Sequence, residues 1–367
     1  MDVNLRMKLR AYLFAGFARF FALAGAGFLV LFFLAEVLSD LPDALRTHQP
    51  FCLLSYAKHL PLMFTQISPV VTFLSALLVV SEMMRGNELR MLEVSGIPPV
   101  RVATALLAAG LAVSVFSFWC REQVVSPLQE RAVHELTLAP VHFSSPCLSV
   151  SAERLVATGE MEQVMLSVAQ GDARYRVRAR RAEFDGTEWV LRDAALWVFD
   201  ARGACVNQQT AGRMRLLLPL TPADIRDAVR TPDALSASRI RRLLARLQVL
   251  DVRPLPLVVA LHERFAYPLL NLFILLAGMP MMFPREKTGR IVVIGLAVFA
   301  SFFSYVVYSF GVALAQGGKI PAWAGVWLFH IAAAAFFLLS VLRGGQFSRI
   351  IPAQSCAAYK TRRLQHP

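Results

Sequence analysis

The sequence predicts a polytopic α-helical membrane protein with six transmembrane helices, three before and three after an inserted all-β domain. Spanning a hydrocarbon core of ~30 Å takes roughly 20 apolar residues in helical form, and six segments meet that length. Because lipid cannot satisfy backbone N–H and C=O groups, such segments must be helices. Five of them contain no Asp, Glu, Lys or Arg, and the first contains only Glu36. The segments are Phe20–Leu38, Leu60–Val80, Val102–Cys120, Phe265–Phe283, Ile291–Gln316 and Ile320–Leu342.

Composition agrees with a membrane protein and argues against nucleic acid as a partner. Hydrophobic residues make up 56% of the 367 residues, above the ordinary globular range. The net charge of +13 could suggest nucleic-acid binding, but the polar segment 121–255 is nearly balanced in charge. Most of the positive excess therefore lies beside the apolar segments.

The flanking charges predict the orientation of the chain. Lysine and arginine concentrate in short loops that stay in the cytoplasm, and here they lie at both termini and in the loops after segments two and four. Both termini are therefore expected inside the cell and residues 121–255 outside. The residues are Arg6, Lys8, Arg10, Arg85, Arg90, Arg101, Arg285, Lys287, Arg290, Arg343, Arg349, Lys360, Arg362 and Arg363.

The N-terminal residues lead into the first span. Residues 5–19 alternate basic with aromatic or aliphatic residues and include Arg19. They predict an interfacial amphipathic helix, or else a longer first span in which Arg19 reaches back to the headgroups. A cleaved signal peptide is disfavoured, since the apolar run continues through Phe28–Phe33.

The loop between spans two and three predicts a short cytoplasmic helix over about 85–97. Asn87 is a candidate N-cap, Glu88 suits the first turn, and Gly96 followed by Pro98 ends the helix. One side is apolar and the other polar. This helix lies on the lipid surface or docks a soluble partner, and the pattern leaves both open. The apolar residues are Leu89, Leu92 and Ile97, and the polar ones are Glu88, Arg90 and Glu93.

The inserted domain predicts β-strands followed by a helix. Period-two alternation marks several short strands, which favours a sandwich or jelly roll. Arg174, Arg176, Arg178 and Arg180 share one face, which either binds anionic headgroups or glycans or is simply solvated. From Ser236 a basic amphipathic helix, about 236–250, is expected at the outer membrane–water interface. The strand segments are Gln163–Val168, Tyr175–Ala179, Trp189–Leu191, Ala195–Phe199 and Met214–Leu218.

Catalytic motifs are absent from the sequence. It contains no G-x-x-x-x-G-K-[ST] phosphate loop, no G-x-S-x-G and no H-E-x-x-H, so we predict no catalytic residues, no metal and no cofactor in this chain. His330 is interpreted as a helix–helix hydrogen-bonding residue. Cys147 and Cys205 are either a disulfide or two free thiols. Glu263 and Arg264 form a functional pair or an interfacial anchor.

Several short patterns, in order and spacing, resemble the LptF/LptG (YjgP/YjgQ) permease family across nearly the whole chain. They also agree with its layout of three and three spans around an external β domain. They are Leu60-Pro61 with Pro69; Ser81-Glu82, Asn87-Glu88-Leu89 and Ser95-Gly96-Ile97; Val124-Val125-Ser126-Pro127; Glu263-Arg264 with Pro268; Pro284-Arg285 with Gly289-Arg290; and Gly317-Gly318, Pro321, Trp323 and Trp327.

The resemblance implies a multi-pass inner-membrane subunit of an ABC transporter, with residues 121–255 in the periplasm. It would extract lipopolysaccharide or a related glycolipid and pass it to an LptA/LptC-type bridge protein. Its partners would be a paralogous or identical permease subunit and an ATPase dimer that binds ATP and Mg²⁺. Lipid would enter near spans one and five. In the family a glutamate matching Glu88 meets a basic residue of the ATPase, so the coupling residues would be Glu88, Leu89, Arg90, Leu92, Ser95 and Gly96.

One departure from the family concerns the cargo. Family members often carry basic residues near the outer ends of spans one and two, whereas this stretch holds Glu36, Asp40 and Asp43. A less anionic glycolipid is therefore an alternative cargo. An alternative function is a membrane-anchored receptor or scaffold whose β domain binds envelope lipid or protein. The candidate headgroup contacts are Arg46, Lys58, Glu263 and Arg264.

Overall fold

A computed structural model describes residues 3–47, 58–129, 141–144, 148–155, 160–170, 173–200, 202–216, 220–229, 232–249, 254–282 and 290–342. The chain divides into two compact units. We call Met1–Arg121 with Phe265–Pro367 the helical unit, and Glu122–Arg264 the sheet unit.

Nine α-helices are described. They are α1 Val3–Thr47, α2 Leu60–Arg85, α3 Glu88–Val94, α4 Val100–Cys120, α5 Pro222–Val229, α6 Ala237–Val249, α7 Leu255–Met282, α8 Arg290–Gln316 and α9 Ala322–Leu342. A π-helical turn, Arg121–Val125, follows α4. Six helices (α1, α2, α4, α7, α8 and α9) are long and apolar enough to cross a membrane. This confirms the predicted fold class of six spans around an inserted antiparallel sheet.

The first helix is continuous where the sequence left two alternatives. Residues 5–19 and the first apolar segment form one helix, α1, and its membrane-compatible part runs from Met7 to Pro42. Leu13 and Phe17 are buried in the core of the helical unit. The apolar side of this N-terminal stretch is thus covered by protein, which favours a longer first span over a separate interfacial helix.

Helix α2 is the most buried of the six long helices. Pro69 inside it lacks the N–H that would bond the Thr65 carbonyl, and the Ser68 hydroxyl donates to that carbonyl at 3.1 Å instead. The buried Thr72 hydroxyl donates to Asn271 Oδ1 of α7 at 3.0 Å. Polar side chains inside this unit therefore restore a lost backbone bond and join two helices.

Two glycine contacts set how closely the long helices approach. A Cβ on Gly311 of α8 would lie 2.3 Å from the carbonyl oxygen of Gly325 of α9. A Cβ on Gly278 of α7 would lie 2.0 Å from the Phe73 ring of α2. Small residues at these points let helices pack closely where no hydrophobic effect drives association.

The described strands of the sheet unit form one antiparallel sheet. They are β1 Val141–Ser144, β2 Leu148–Ala152, β3 Arg154–Leu155, β4 Met161–Gln170, β5 Ala173–Phe184, β6 Trp189–Phe199 and β7 Cys205–Leu216. Their order is β1-β2-β4-β5-β6-β7, and β3 pairs with β4. The predicted inserted β domain is confirmed, and its described strands follow one another as a meander in one sheet. Alternation reports which face of a strand is buried, and it leaves strand order open.

A line of irregularities crosses this sheet. Gln163 on β4 and Asp193 on β6 both have φ of 51°, and both flank Arg180 on β5. On each of these strands two consecutive polar residues separate the buried positions, while the strand register is the same on both sides. The core face of the sheet stays continuous across this line.

Helix α6 covers the sheet core and corrects one expectation. The sequence placed the helix at about 236–250 on the membrane surface, but Ile240, Leu243 and Leu247 are buried in the sheet unit's apolar core. An amphipathic stripe shows that a helix has an apolar face, and a sheet can cover it as well as lipid can. Trp189 of β6 completes this core, and its indole N–H donates to the Leu220 carbonyl at 2.8 Å.

Candidate functional site

The loop between α2 and α4 holds the seven-residue helix α3. Asn87 precedes it in the left-handed region, at φ of 59°, and its side chain makes no capping hydrogen bond. At the other end Gly96 has φ of 77°, and the N–H of Ile97 donates to the Leu92 carbonyl at 2.8 Å. Gly96 also donates to the Glu93 carbonyl at 3.0 Å. This pair of bonds is a Schellman motif, which needs a left-handed residue at Gly96.

One side of α3 is fastened to the helical unit. Leu89 and Leu92 pack against its apolar core, and Ile97 is buried. The Tyr12 hydroxyl of α1 lies 3.0 and 3.2 Å from the two carboxylate oxygens of Glu88, to which it donates. The N-terminal part of α1 therefore holds α3 through a hydrogen bond between residues 76 positions apart.

The opposite side of α3 is exposed. The Val94 side chain is 90% exposed and Met91 is 59% exposed. Arg90, Glu93 and Ser95 are exposed beside them. Two apolar side chains among charged ones on a firmly held two-turn helix make a surface suited to a protein groove.

The predicted coupling residues therefore have two different placements. Arg90, Ser95 and Gly96 are exposed, whereas Leu89 and Leu92 face the core and Glu88 is half-buried against Tyr12. Sequence reasoning missed Met91 and Val94 as accessible apolar residues. Each follows a core-facing leucine, Leu89 or Leu92, by two residues, and this spacing could have identified them, since i and i+2 positions of a helix lie on different sides.

Two of the four candidate headgroup contacts lie in the helical unit. Arg46 falls in the last turn of α1, and its side chain lies outside the described residues. Lys58 is exposed in the turn before α2. Beside it, His59 Nδ1 lies 2.6 Å from Glu36 Oε1. This pair ties α1 to the start of α2 and accounts for the charge in the first apolar segment, which the sequence left unexplained.

The other two candidates, Glu263 and Arg264, are in the sheet unit. Arg264 is only 1% exposed, 3.4 Å from the Ser126 hydroxyl and 4.0 Å from Glu122 Oε1. The carboxylate of Glu122 also accepts the backbone N–H of Ala237 at the start of α6. Arg264 is thus a buried residue that lies among protein groups. Glu263 is half-buried.

The remaining candidates from the sequence are one histidine and two cysteines. His330 of α9 is buried, and its Nε2 donates to the Ala266 carbonyl of α7 at 2.9 Å, as its interpretation as a helix–helix hydrogen-bonding residue predicted. Cys205 is an exposed free thiol, and Cys147 lies outside the described residues. Within the described ranges, no group of three or more His, Cys, Asp or Glu residues is placed to hold a metal ion.

Six membrane-compatible helices, an inserted antiparallel sheet and a short exposed helix between the second and third spans define a class, the polytopic membrane proteins with an inserted β domain. The particular family follows from comparison. The model of the family described as lipopolysaccharide export system permease LptF/LptG matches residues 11–343. The chain belongs to this family. It is therefore an integral inner-membrane protein and a permease subunit of a transporter, with a role in lipopolysaccharide export. No curated protein matches the chain.

Proposed function

We propose that this chain is one membrane subunit of an ABC transporter that extracts lipopolysaccharide, or a related glycolipid, from the outer leaflet of the inner membrane. It hands the lipid to a periplasmic bridge protein of LptA/LptC type. A separate ATPase dimer, which binds ATP and Mg²⁺, supplies the energy. The observation that carries the proposal is the family match over residues 11–343 together with the exposed, anchored helix α3.

The physical need for a partner motor follows from the cargo. Moving an acyl chain from lipid into water costs about 0.8 kcal/mol per CH₂, so several chains cannot leave spontaneously. Extraction requires a continuous apolar route and an external source of free energy. The sequence encodes no phosphate-binding loop, so hydrolysis belongs to another chain.

Helix α3 is the proposed docking point for that motor. Met91 and Val94 would enter a groove on the ATPase, with Arg90, Glu93 and Ser95 at its rim. Leu89 and Leu92 would transmit movement into the helical unit, because they pack against its core. Glu88 would meet a basic residue of the ATPase, in exchange for or in addition to its bond with Tyr12.

The long helices offer the proposed surfaces for lipid and for the second permease subunit. Helix α8 exposes a run of aromatic side chains, and α1 exposes Leu23, Leu31 and Leu38. Apolar side chains exposed this densely must face lipid or another protein. Spans one and five are the proposed lateral entry for the glycolipid. The exposed aromatic residues of α8 are Phe299, Phe302, Phe303, Tyr305 and Phe310.

The orientation belongs to the same proposal. Both termini and α3 face the cytoplasm, and residues 121–255 face the periplasm. The asymmetry of lysine and arginine between the loops supports it. A cysteine introduced at Val94 tests this orientation. If a membrane-impermeant thiol reagent blocked it in intact cells, α3 would not face the cytoplasm.

The test is ATP-driven release of lipid from proteoliposomes containing the assembled complex. Glu88→Arg places a cation against the proposed basic partner and is expected to abolish release while membrane insertion stays normal. Tyr12→Phe removes only the intramolecular bond and should keep most of the release. Glu153→Arg makes the same charge change on an exposed site of the sheet unit and serves as the control.

Each outcome separates the alternatives. Normal release by Glu88→Arg would overturn docking through this residue. Equal loss in Tyr12→Phe and Glu88→Arg would assign Glu88 to holding α3 and remove its direct role. Normal function after residues 83–100 are scrambled would favour the receptor or scaffold, since that function needs no motor.

A further inference from the structure

The solvent-facing side of strand β5 carries a row of arginines. Arg174, Arg176 and Arg178 are exposed at every second position, so their Cα atoms are about 6.7 Å apart. Among the residues that the structure describes, these three have no carboxylate within ion-pair distance. Arg176 instead lies over the ring of Phe199, 5.6 Å from its centroid.

Three other arginines of the same sheet are paired. Arg181 lies 3.8 Å from Glu162, Arg192 lies 2.9 Å from Glu183, and Arg215 lies 4.0 Å from Glu188. The two groups of arginines therefore allow a matched comparison within one sheet.

The neighbours of the unpaired arginines are uncharged. Strand register places Ser167 and Trp197 directly beside Arg176, and Phe199 beside Arg174. The same row continues to Ser149 on β2 and Gln208 on β7. None of the described positions that pair with the three arginines is acidic. We call this surface the arginine face: Arg174, Arg176, Arg178, Trp197, Phe199 and Ser167.

We propose that the arginine face binds the phosphorylated saccharide of the transported glycolipid. Guanidinium groups bind phosphate oxygens through paired, charge-assisted hydrogen bonds. The indole of Trp197 offers an electron-rich face to the C–H groups of a sugar ring. The flanking hydroxyl and amide side chains match sugar hydroxyls. This inference rests on the proposed function and names the part of the cargo that the sheet unit recognises.

A bilayer surface or an acidic protein would also be attracted to arginines. A saccharide fits better, because the aromatic and hydroxyl side chains stand in the same rows as the cations and add recognition that a simple charged surface does not need. The position of the arginine face on the sheet unit also accounts for a departure from the family pattern, in which basic residues often lie near the outer ends of spans one and two. Glu36, Asp40 and Asp43 make the C-terminal part of α1 acidic, and the arginine face supplies a cationic site elsewhere.

The experiment measures binding by titration calorimetry to the full chain in detergent, without ATP. The probe is deacylated, lipid-free lipopolysaccharide oligosaccharide with its phosphates. Its dephosphorylated form, inorganic phosphate and phosphatidylglycerol vesicles are the comparison ligands. The test variant is R174Q/R176Q/R178Q, and the matched control is R181Q/R192Q/R215Q, which removes the same charge from paired sites of the same sheet.

The proposal expects the phosphorylated oligosaccharide to bind the wild type. The test variant should lose about tenfold or more in affinity, while the control stays within about twofold. The dephosphorylated probe should bind at least about tenfold more weakly. Trp197→Ala should weaken binding of both oligosaccharides, which a purely ionic site would not show.

Several results would overturn the proposal. They are wild-type affinity in the test variant, equal losses in both triple variants, and equal binding of the dephosphorylated probe. Binding of the vesicles alone would assign the face to a lipid surface, and inorganic phosphate competing as well as the oligosaccharide would assign it to free anions.

A single substitution covers the case in which the triple variant does not fold. Arg176→Lys keeps the positive charge but removes the planar guanidinium group with its paired N–H donors. Affinity for the phosphorylated oligosaccharide should therefore fall about threefold, and unchanged affinity would count against the site. Failure here is distinguishable from failure of the proposed function. Binding is read on the isolated chain without ATP, whereas extraction is read on the complete complex with ATP.

Discussion

Helices α3 and α6 are both short and amphipathic, yet the protein uses their apolar sides differently. Helix α6 buries Ile240, Leu243 and Leu247 in the core of the sheet unit. Helix α3 buries Leu89 and Leu92 only partly and leaves Val94 and Met91 in solvent. The comparison teaches that amphipathicity predicts an apolar face, and that only the fold decides whether this face remains available to a partner.

The largest expected effect concerns the anchor of α6. Glu122→Ala removes the acceptor for the Ala237 N–H and takes away a carboxylate that lies 4.0 Å from the buried Arg264. We expect a loss of about 3–5 kcal/mol in the free energy of unfolding of the sheet unit. Urea denaturation followed by hydrogen exchange in α6 measures it. The exposed Glu153 provides the control, as Glu153→Ala should change stability little. Equal effects of the two substitutions would contradict a buried role for Arg264.

A second prediction addresses the apolar side of α6. Leu243→Ala removes a fully buried side chain and should lower the free energy of unfolding of the sheet unit by about 2–5 kcal/mol. Leu244, its partly buried neighbour, should cost clearly less when replaced by alanine. The same denaturation experiment compares the two. If both variants were as stable as the wild type while membrane binding fell, α6 would be the interfacial helix that the sequence suggested.

A smaller effect on stability is expected at the C-terminal end of α3. Gly96→Ala forces a β-carbon into the left-handed region at φ of 77°, which costs roughly 1–2 kcal/mol. Hydrogen exchange at the Gly96 and Ile97 amides should accelerate, because both N–H groups close the helix end. Gly96→Asn, which tolerates this region better, should accelerate them less. Unchanged exchange in both variants would show that the helix end is not held as described.

The turn between β5 and β6 supplies a test of pH dependence away from both helices. The backbone N–H groups of Glu188 and Thr187 donate to Asp185 Oδ1 and hold the pKa of this carboxyl below its usual value. The stabilisation is therefore present above the unfolded-state pKa and is lost as pH falls through the folded-state pKa. Asp185→Asn should remove this part of the acid sensitivity in thermal melts between neutral and acidic pH. The opposite trend, with the wild type gaining stability on acidification relative to the variant, would contradict the hydrogen bonds.

The smallest effect on stability is expected at the exposed side of α3. Val94→Ser should change the free energy of unfolding by less than about 0.5 kcal/mol, because the side chain is almost fully in solvent. The same variant should weaken binding of the ATPase, measured by co-purification in mild detergent. Leu92→Ser is the matched comparison and should destabilise the helical unit instead. A Val94→Ser variant that binds the ATPase normally would remove this residue from the docking surface.

The sequence predicted much of the fold because the bilayer imposes strong constraints on composition. The predicted limits of the spans agree with most helix ends to within a few residues. The fourth spanning helix, α7, is an exception, because it begins at Leu255, ten residues before its apolar segment. Arg264 in this added stretch is buried by protein, and hydropathy cannot detect burial by protein. Strand order was likewise out of reach, since alternation along one strand carries no information on its neighbours.

The candidate site was predictable in position and less so in detail. The sequence pattern predicted the position of α3 and its end at Gly96, because a glycine followed by prolines is a local signal that ends a helix. The bond from Tyr12 to Glu88 spans two distant segments, and no local pattern encodes it. The arginine row was visible in the sequence, but its uncharged neighbours became apparent only when strand register placed Trp197 and Ser167 beside Arg176.

The central claim is that a separate ATPase binds this chain through α3 and not through α6. A photo-crosslinking amino acid at Val94 of α3, compared with one at the exposed Arg242 of α6, tests it directly in intact membranes. The account predicts that position 94 crosslinks to a nucleotide-binding subunit and that position 242 does not. A chain that crosslinks to no ATPase at position 94, yet still drives lipid release, would contradict it.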